Sequence, residues 1–373
     1  MHIRHLPILL AIIALTALLA TPVPGQETDL AANAALQYWK AFAVMPELTE
    51  EEDDAVREAI ETGEISDELI NVVWRFESAL LQMQRGAAME QCEWGILIIA
   101  EEDGPNTLMP HLSKSRVLAR LACLHAENAF QQDNAETAIA DVQATLTMAR
   151  HMGQDGILIC LLVDYAIKQM VIETAVAHLP SLDDAELESL ADVMDSLPEC
   201  MPAPESVLAE NRFLGGWFIR ILSLPDGKEQ VLDLFDSSED VLEFSQFSRE
   251  ELLEGARQMP ELYERISEIV ALPPDEVDAA KAELRENVEL TPAGQKMADG
   301  LTPAITSVRG AEAAHQTRIA LFQAAIAVQL DGPEALERDE HADPYGDGPF
   351  SYEETESGFV LESSFGDKND NPV

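Results

Sequence analysis

The sequence is poor in basic residues. Its 373 residues include 23 Lys and Arg against 69 Asp and Glu, which gives a formal net charge of -46 at pH 7. A surface of this sign repels phosphate backbones and anionic lipid head groups, so nucleic acids and membrane surfaces are disfavoured as partners. A solvated acidic coat that promotes solubility explains the charge. The recruitment of cations or of a basic partner is the alternative.

Cysteine is also scarce, and the four cysteines are widely separated. No CxxC pair occurs, which leaves a thioredoxin-like redox site or a zinc ribbon without support. Cys123 and Cys160 lie in apolar helical runs, where we expect free buried thiols. Cys92 and Cys200 border predicted loops and are the better candidates for a cross-link.

The common catalytic signatures are missing from the sequence. It contains no HExxH, no GxSxG and no GxxxxGK, so the usual zinc, nucleophile-elbow and phosphate-loop sites are not indicated. Acidic pairs are so abundant that they carry no information about glycosidase chemistry, which needs two carboxylates at a set separation.

Residues 1–25 have the anatomy of a secretory signal. Arg4 precedes an apolar run, Leu6–Ala20, which is followed by "TPVPGQ". The run is shorter than the roughly 20 apolar residues of a membrane span. Val23 and Gly25 fit the two positions that a signal peptidase reads. We therefore expect an exported protein, periplasmic or extracellular, with no membrane association after the signal is removed.

Most of the remaining chain shows the apolar spacing of amphipathic helices. Thr49 with Glu52, Ser181 with Asp184, and Ser248 with Glu251 have the spacing of helix-starting capping boxes. The predicted helices are 28–45, 50–62, 67–91, 113–131, 135–151, 156–179, 182–196, 205–223, 249–270, 275–287 and 303–330, with short helices in 225–247. Short connections make successive helices antiparallel neighbours. The predicted fold class is all-α, built from helical hairpins in a repeat-like or bundle arrangement, with a small C-terminal β-hairpin.

The Pro-containing joint "LPECMPAP" (197–204) suggests how the chain is divided. We predict an N-terminal helical half at 26–197, a C-terminal helical half at 198–340 and a β-hairpin tail at 341–373. The tail contains two short runs with aromatic residues, around Tyr352 and Phe359, separated by a polar turn that ends at Gly358.

One stretch, "HAENAFQQDNAETAIADVQATLTMAR" (125–150), resembles a tetratricopeptide helical hairpin. Asp133 and Asn134 stand at its turn, Ala138 supplies the small residue of the second helix, and Val142 and Leu146 form an apolar ridge. The likeness covers about one unit, and no small residue stands 34 positions after Ala138, so a repeat array is not demonstrated. A generic helix pair explains the same letters.

The tail resembles the C-terminal module of the major pseudopilins of type II secretion systems. The matching letters are Asp343, Pro344, Tyr345, Gly346, Tyr352, Gly358, Phe359, Ser363, Gly366, Asp367 and Asp370. In that family such residues hold calcium, so the resemblance implies a calcium site to which Asp367, Asn369 and Asp370 contribute. A frayed acidic terminus is the alternative. The methylated N-terminal helix of pseudopilins has no counterpart here.

The whole chain is similar to exported bacterial proteins built from Ala- and Leu-rich helices. "NAALQYWKAF" and "LARLACLHAENAF" carry this likeness, which implies no particular activity.

Three functions are consistent with these observations. The leading hypothesis is a non-enzymatic binding or scaffolding role towards a protein or envelope partner, with no cofactor, because helix stacks expose broad grooves and recognised chemistry is missing. The second is a hydrolase with a polar pocket between the helical halves, for which His125, Glu210 and Arg212 are the polar residues in apolar helices. The third is an envelope component stabilised by calcium at the tail.

Overall fold

The computed structural model describes residues 32–198, 201–234, 238–346, 348–355 and 358–365. Helices dominate these ranges, which confirms the predicted all-α class with a C-terminal β-hairpin. The elements are α1 (Ala34–Val44), α2 (Glu50–Thr62), α3 (Asp67–Ala87), α4 (Ile96–Asp103), α5 (Pro110–Gln131), α6 (Ala135–Gly153), α7 (Leu158–Val176), α8 (Asp184–Asp195), α9 (Ala203–Phe213), α10 (Gly215–Leu222), α11 (Gly227–Leu232), α12 (Ser238–Ser245), α13 (Arg249–Val270), α14 (Val277–Asn287), α15 (Pro292–Asp331), β1 (Ser351–Thr355) and β2 (Gly358–Glu362). The predicted signal, 1–25, lies outside the described residues.

Capping boxes start three of these helices. Those of α2 and α13 use the predicted residues, Thr49 and Ser248. The start of α8 was predicted wrongly, because Asp183 is the cap and exchanges hydrogen bonds with Glu186. The hydroxyl of Ser181 instead donates to the carbonyl of His178 at 2.7 Å, within a short 3-10 turn. Either side chain can cap a helix, so spacing alone did not decide between them.

Two predicted helices have different limits in the structure. The helix predicted at 205–223 is interrupted at Leu214, between α9 and α10. The helix predicted at 303–330 begins at Pro292 and continues through Pro303. Proline lacks an amide hydrogen and usually ends a helix, but packing of α15 along its length against α7 and α13 overrides that preference. Helix α4 was not predicted.

Two large apolar cores meet at α7. Cys160, Val163 and Ile167 belong to the first core, which lies mainly among α1, α3, α5, α6 and α8. Leu158 and Leu161 belong to the second core, among α9 to α15. Helix α7 therefore contributes apolar side chains to both cores. Within the described ranges, no helix is long and apolar enough to span a membrane.

The tail is attached to the C-terminal end of α15. Its two strands pair antiparallel, with Tyr352 opposite Leu361 and Glu354 opposite Phe359. Phe350 is buried with Ala324 and Val328 of α15 in a small separate core. The hairpin is therefore anchored by one buried aromatic side chain, while both strands remain largely exposed.

Three cysteines are free, buried thiols: Cys92, Cys123 and Cys160. Burial raises the pKa of the Cys123 thiol to about 12 and raises those of the other two as well. Cys123 and Cys160 behave as predicted. Cys92, which was expected to be a cross-linking residue, is a free thiol, and Cys200 lies outside the described residues.

Candidate functional site

The hairpin formed by α5 and α6 brings a histidine and an aspartate together. Its turn contains Asp133, with a positive φ of 56°, and Asn134, whose side chain caps α6. His125 and Asp141 each lie eight residues from Asp133, so antiparallel packing places them side by side. The Nδ1 atom of His125 is 2.5 Å from Oδ2 of Asp141.

The carboxylate of Asp141 is held rigidly. It is fully buried, and its Oδ1 accepts a hydrogen bond of 2.9 Å from Nε2 of Gln84 on α3. The hydrogen bond to Asp141 raises the pKa of His125 above its usual value of 6.5, although burial opposes the shift, and the charge of Glu77 adds to it. Nδ1 is committed to Asp141, which leaves Nε2 as the ring nitrogen available to a ligand.

His125 lines a surface groove along the exposed face of α3. The groove has a volume of about 390 Å³, and its lining includes Trp74, Glu77, Ser78, Leu81, Gln84 and His125. Trp74 is 61% exposed and Leu81 is 45% exposed, so two large apolar side chains of this groove face solvent. We call this surface the α3 groove. It combines an exposed indole, an acidic side chain and an imidazole oriented by a buried carboxylate.

The α3 groove has two chemical capabilities. Trp74 and Leu81 offer apolar surface that is already exposed, so a ligand gains burial there without rearranging the core. His125 can exchange a proton through Nε2 while Asp141 fixes the ring, which is the arrangement of a general base with its orienting group. The hydroxyl of Ser78 lies in the same groove.

The second predicted pocket residue, Glu210, lies elsewhere. It is buried on α9, and its Oε2 accepts a hydrogen bond of 3.1 Å from the backbone amide of Leu158 at the start of α7. Burial raises the pKa of Glu210 to about 7. Asp155, in the turn between α6 and α7, is buried as well, and desolvation raises its pKa to about 7. Through its hydrogen bond to Leu158, Glu210 caps the N-terminus of α7.

The structure does not bring the three predicted pocket residues together. Arg212 is exposed on α9, whereas Glu210 on the same helix is buried. His125 bonds to Asp141, which precedes the end of α6 by 12 residues, or about 18 Å of helix. Glu210 instead accepts a hydrogen bond from Leu158, which lies beyond the C-terminal end of α6. The α3 groove is not lined by Glu210 or Arg212.

The calcium prediction involves residues at the end of the tail. Asp367, Asn369 and Asp370 lie outside the described residues, so their role as ligands stays a prediction. Asp343 is buried, and its carboxylate accepts hydrogen bonds from the amide of Tyr345 at 3.1 Å, the hydroxyl of Ser363 at 2.7 Å and the amide of Ser364 at 3.0 Å. In the part of the chain that the structure describes, no group of three His, Cys, Asp or Glu side chains is placed to hold a metal.

The sequence reasoning did not identify Trp74 and Gln84 in the lining of the α3 groove, nor Asp141, the buried partner of His125. A signal for Asp141 was present, because it interrupts the apolar run "AIADVQATL" at a position equidistant from the turn with His125. No comparable signal marked Trp74, because its exposure depends on what packs against α3. Comparison with family models, curated proteins and solved structures gives no match to this chain.

Proposed function

We propose that this chain is an exported, non-enzymatic binding or scaffolding protein that binds a segment of its partner in the α3 groove. The observation that carries the proposal is the 61% exposure of Trp74 beside Leu81 in a groove of about 390 Å³. Exposed indoles at the centre of a concave surface are typical of residues that dominate binding energy. Export rests on the features of residues 1–25.

The groove favours a partner segment with an apolar side chain next to a basic one. Trp74 and Leu81 provide the apolar contact, and the carboxylate of Glu77 lies between them along α3. The net charge of -46 attracts basic partners and repels acidic ones before contact. The imidazolium of His125 is paired with Asp141, so it adds little repulsion towards a basic side chain.

Selection from a displayed library of short random peptides tests this proposal. We expect enrichment of peptides that carry an aromatic or aliphatic residue beside Lys or Arg. The Trp74→Ala variant should weaken the binding of a selected peptide about 30-fold, the loss typical of a central aromatic anchor. Leu108→Ala is the matched control, since Leu108 is 84% exposed and lies outside the groove. Peptides that bind the wild type and Trp74→Ala equally would contradict the proposal.

A hydrolase is the second candidate function. It is favoured by one observation: a histidine in an open groove, oriented at 2.5 Å by a fully buried aspartate that is itself held by Gln84. In its neutral form, with the ring proton on Nδ1 towards Asp141, His125 would accept a proton at Nε2 from water or from the hydroxyl of Ser78 as that oxygen attacks an ester or amide carbonyl. This reading places catalysis in the α3 groove rather than between the helical halves.

A panel of ester, amide and phosphoester substrates tests the hydrolase. Any activity found should fall at least about 100-fold in His125→Gln, because general-base catalysis is lost. His178→Gln is the matched control, because His178 pairs with Glu127 at 2.8 Å and stacks on Phe130 but lies outside the groove. An activity that survives His125→Gln would exclude this site.

A further inference from the structure

A cluster of basic side chains is buried where α6, α7 and α15 meet. It consists of Arg150, Asp164, Lys168, His315 and Arg318, and we call it the Arg150 cluster. Lys168 and Asp164 are fully buried, and Nζ of Lys168 lies 2.6 Å from Oδ1 of Asp164. The side chain of Arg150 is 13% exposed. The chain has only 23 Lys and Arg residues, and three of them belong to this cluster.

Arg150 is incompletely bonded in this cluster. Its Nη1 lies 3.7 Å from Oδ2 of Asp164, which is beyond hydrogen-bond distance. Nε and Nη1 of Arg150 are both buried without a hydrogen-bond partner. Nε and Nη1 lie on different edges of the planar guanidinium, and each can donate to an oxygen of a carboxylate or phosphate. Two buried donors without an acceptor are costly unless a ligand or water satisfies them.

His315 provides a third buried donor position. Its ring stacks on Tyr165 of α7 with centroids 4.4 Å apart, and its Nδ1 is buried without a hydrogen-bond partner. Burial lowers the pKa of His315 well below 6.5, and the charges of Lys168, Arg150 and Arg318 lower it further. A neutral ring retains one N–H group, which can donate from Nδ1. Lys168, Arg150 and Arg318 are all positively charged, so each disfavours a second proton on the ring of His315.

The formal charges of the cluster do not cancel. Asp164 contributes one negative charge against the three positive charges of Arg150, Lys168 and Arg318, which leaves a net charge of about +2 at a largely buried position. Arg318, one turn after His315 on α15, is only half-buried, so the cluster extends to the surface. An anion that approaches from solvent would therefore meet the charge of Arg318 first.

We propose that Arg150, His315 and Arg318 form a binding site for a small oxyanion of the carboxylate, phosphate or sulfate class. Oxygens of the anion accept hydrogen bonds from the guanidinium of Arg150 and from Nδ1 of His315, and Arg318 adds positive charge nearer the surface. This site is independent of the α3 groove. Three cations, Arg150, Lys168 and Arg318, act on His315 here, and both Arg150 and His315 carry buried nitrogens without a hydrogen-bond partner.

Titration of the full chain with phosphate, sulfate and acetate tests the site, with sodium chloride at matched ionic strength as the baseline. At least one oxyanion should raise the melting temperature in a saturable manner, as expected for a ligand that binds only the folded state. Phosphate and sulfate acting alone would indicate a tetrahedral anion, whereas acetate acting alone would indicate a carboxylate. The Nδ1 resonance of His315 should shift on binding.

Variants distinguish specific binding from general screening of the negative charge. Arg150→Gln and Arg318→Gln should weaken the effective anion at least about tenfold, because each removes a charged donor or its field. Arg265→Gln is the control, since Arg265 is exposed and pairs with Glu261 on the surface of α13. If Arg150→Gln fails to fold, Arg318→Gln alone tests the site. Equal stabilisation by chloride, or an unshifted His315 resonance, would overturn the proposal.

Discussion

The carboxylate of Glu210 accepts a hydrogen bond from the amide of Leu158 at 3.1 Å, across 52 positions of the chain. It thereby satisfies one of the free amides at the start of α7 with a side chain from α9. Leu158 packs in the second core, while Cys160, two positions later, packs in the first. A single buried acid thus stabilises the helix on which both cores depend.

This relationship predicts a pH-dependent stability. Burial raises the pKa of Glu210 from 4.5 to about 7, so between these values the folded state binds more protons than the unfolded state. The stabilisation is complete below about pH 4.5 and is lost as pH rises through 7. The difference between the two pKa values corresponds to a loss of about 3 kcal/mol in the free energy of unfolding.

Urea unfolding at several pH values checks this prediction. Glu210→Gln keeps an acceptor for the amide of Leu158 and removes the titration, so its free energy of unfolding should fall less than that of the wild type between pH 5 and 8. Asp155 still titrates in both proteins, and the difference between them isolates Glu210. Glu205→Gln, at an exposed position of α9, is the control. Parallel curves for wild type and Glu210→Gln would refute the assignment.

A second prediction concerns a buried hydrogen bond in the first core. The hydroxyl of Tyr38 lies 2.8 Å from Nδ1 of His151, and both side chains are fully buried. Tyr38→Phe preserves the ring that stacks on Trp94 but leaves Nδ1 of His151 without this partner. We expect a loss of about 1–3 kcal/mol in the free energy of unfolding.

Chemical denaturation measures this loss, with Tyr352→Phe as the control. Tyr352 is 37% exposed on the hairpin, so removal of its hydroxyl should change stability by less than about 0.5 kcal/mol. Similar losses in the two variants would show that the buried hydrogen bond does not stabilise the core.

A third prediction concerns the attachment of the tail. Asp343→Ala removes the acceptor for Ser363 and for the amides of Tyr345 and Ser364. We expect the hairpin to open more easily, by about 2–3 kcal/mol, because buried donors lose a charged acceptor. Hydrogen exchange of β1 and β2 measures the opening, and Asp339→Ala at an exposed position is the control. Unchanged protection of β1 and β2 in Asp343→Ala would count against this role.

The calcium hypothesis makes a fourth prediction, on residues beyond those the structure describes. If Asp367, Asn369 and Asp370 hold calcium, the melting temperature should be higher in calcium than in chelator, since the ion binds the folded state. Asp370→Asn should remove most of that difference, whereas Asp339→Ala should not. Identical melting temperatures in calcium and chelator would eliminate calcium from the description of this protein.

Sequence reasoning predicted the local parts of this fold well. The capping boxes at Thr49 and Ser248 and the hairpin around Gly358 were found because each depends on residues a few positions apart. The break at Leu214 and the passage of α15 through Pro303 were not found. Packing against α7 and α13 carries α15 through Pro303, which local propensity does not contain. The break at Leu214 did have a local signal, because two poor helix formers, Gly215 and Gly216, follow it directly.

The candidate site shows the same division. The sequence identified His125 as a polar residue in an apolar helix but paired it with Glu210 and Arg212. The structure pairs it with Asp141, and hairpin geometry would have indicated this. Trp74 could not be assigned, since an apolar residue on an amphipathic helix is buried or exposed according to its neighbours.

The sequence by itself determined an acidic, helical chain, because net charge and the spacing of apolar residues are properties of the letters. Only the tertiary structure decided that both cores share α7, that Glu210 caps that helix, and that Arg150 and His315 lie together. The reason is physical: burial, desolvation and unpaired donors arise from contacts between residues far apart in the chain, and these exist only after the helices have packed.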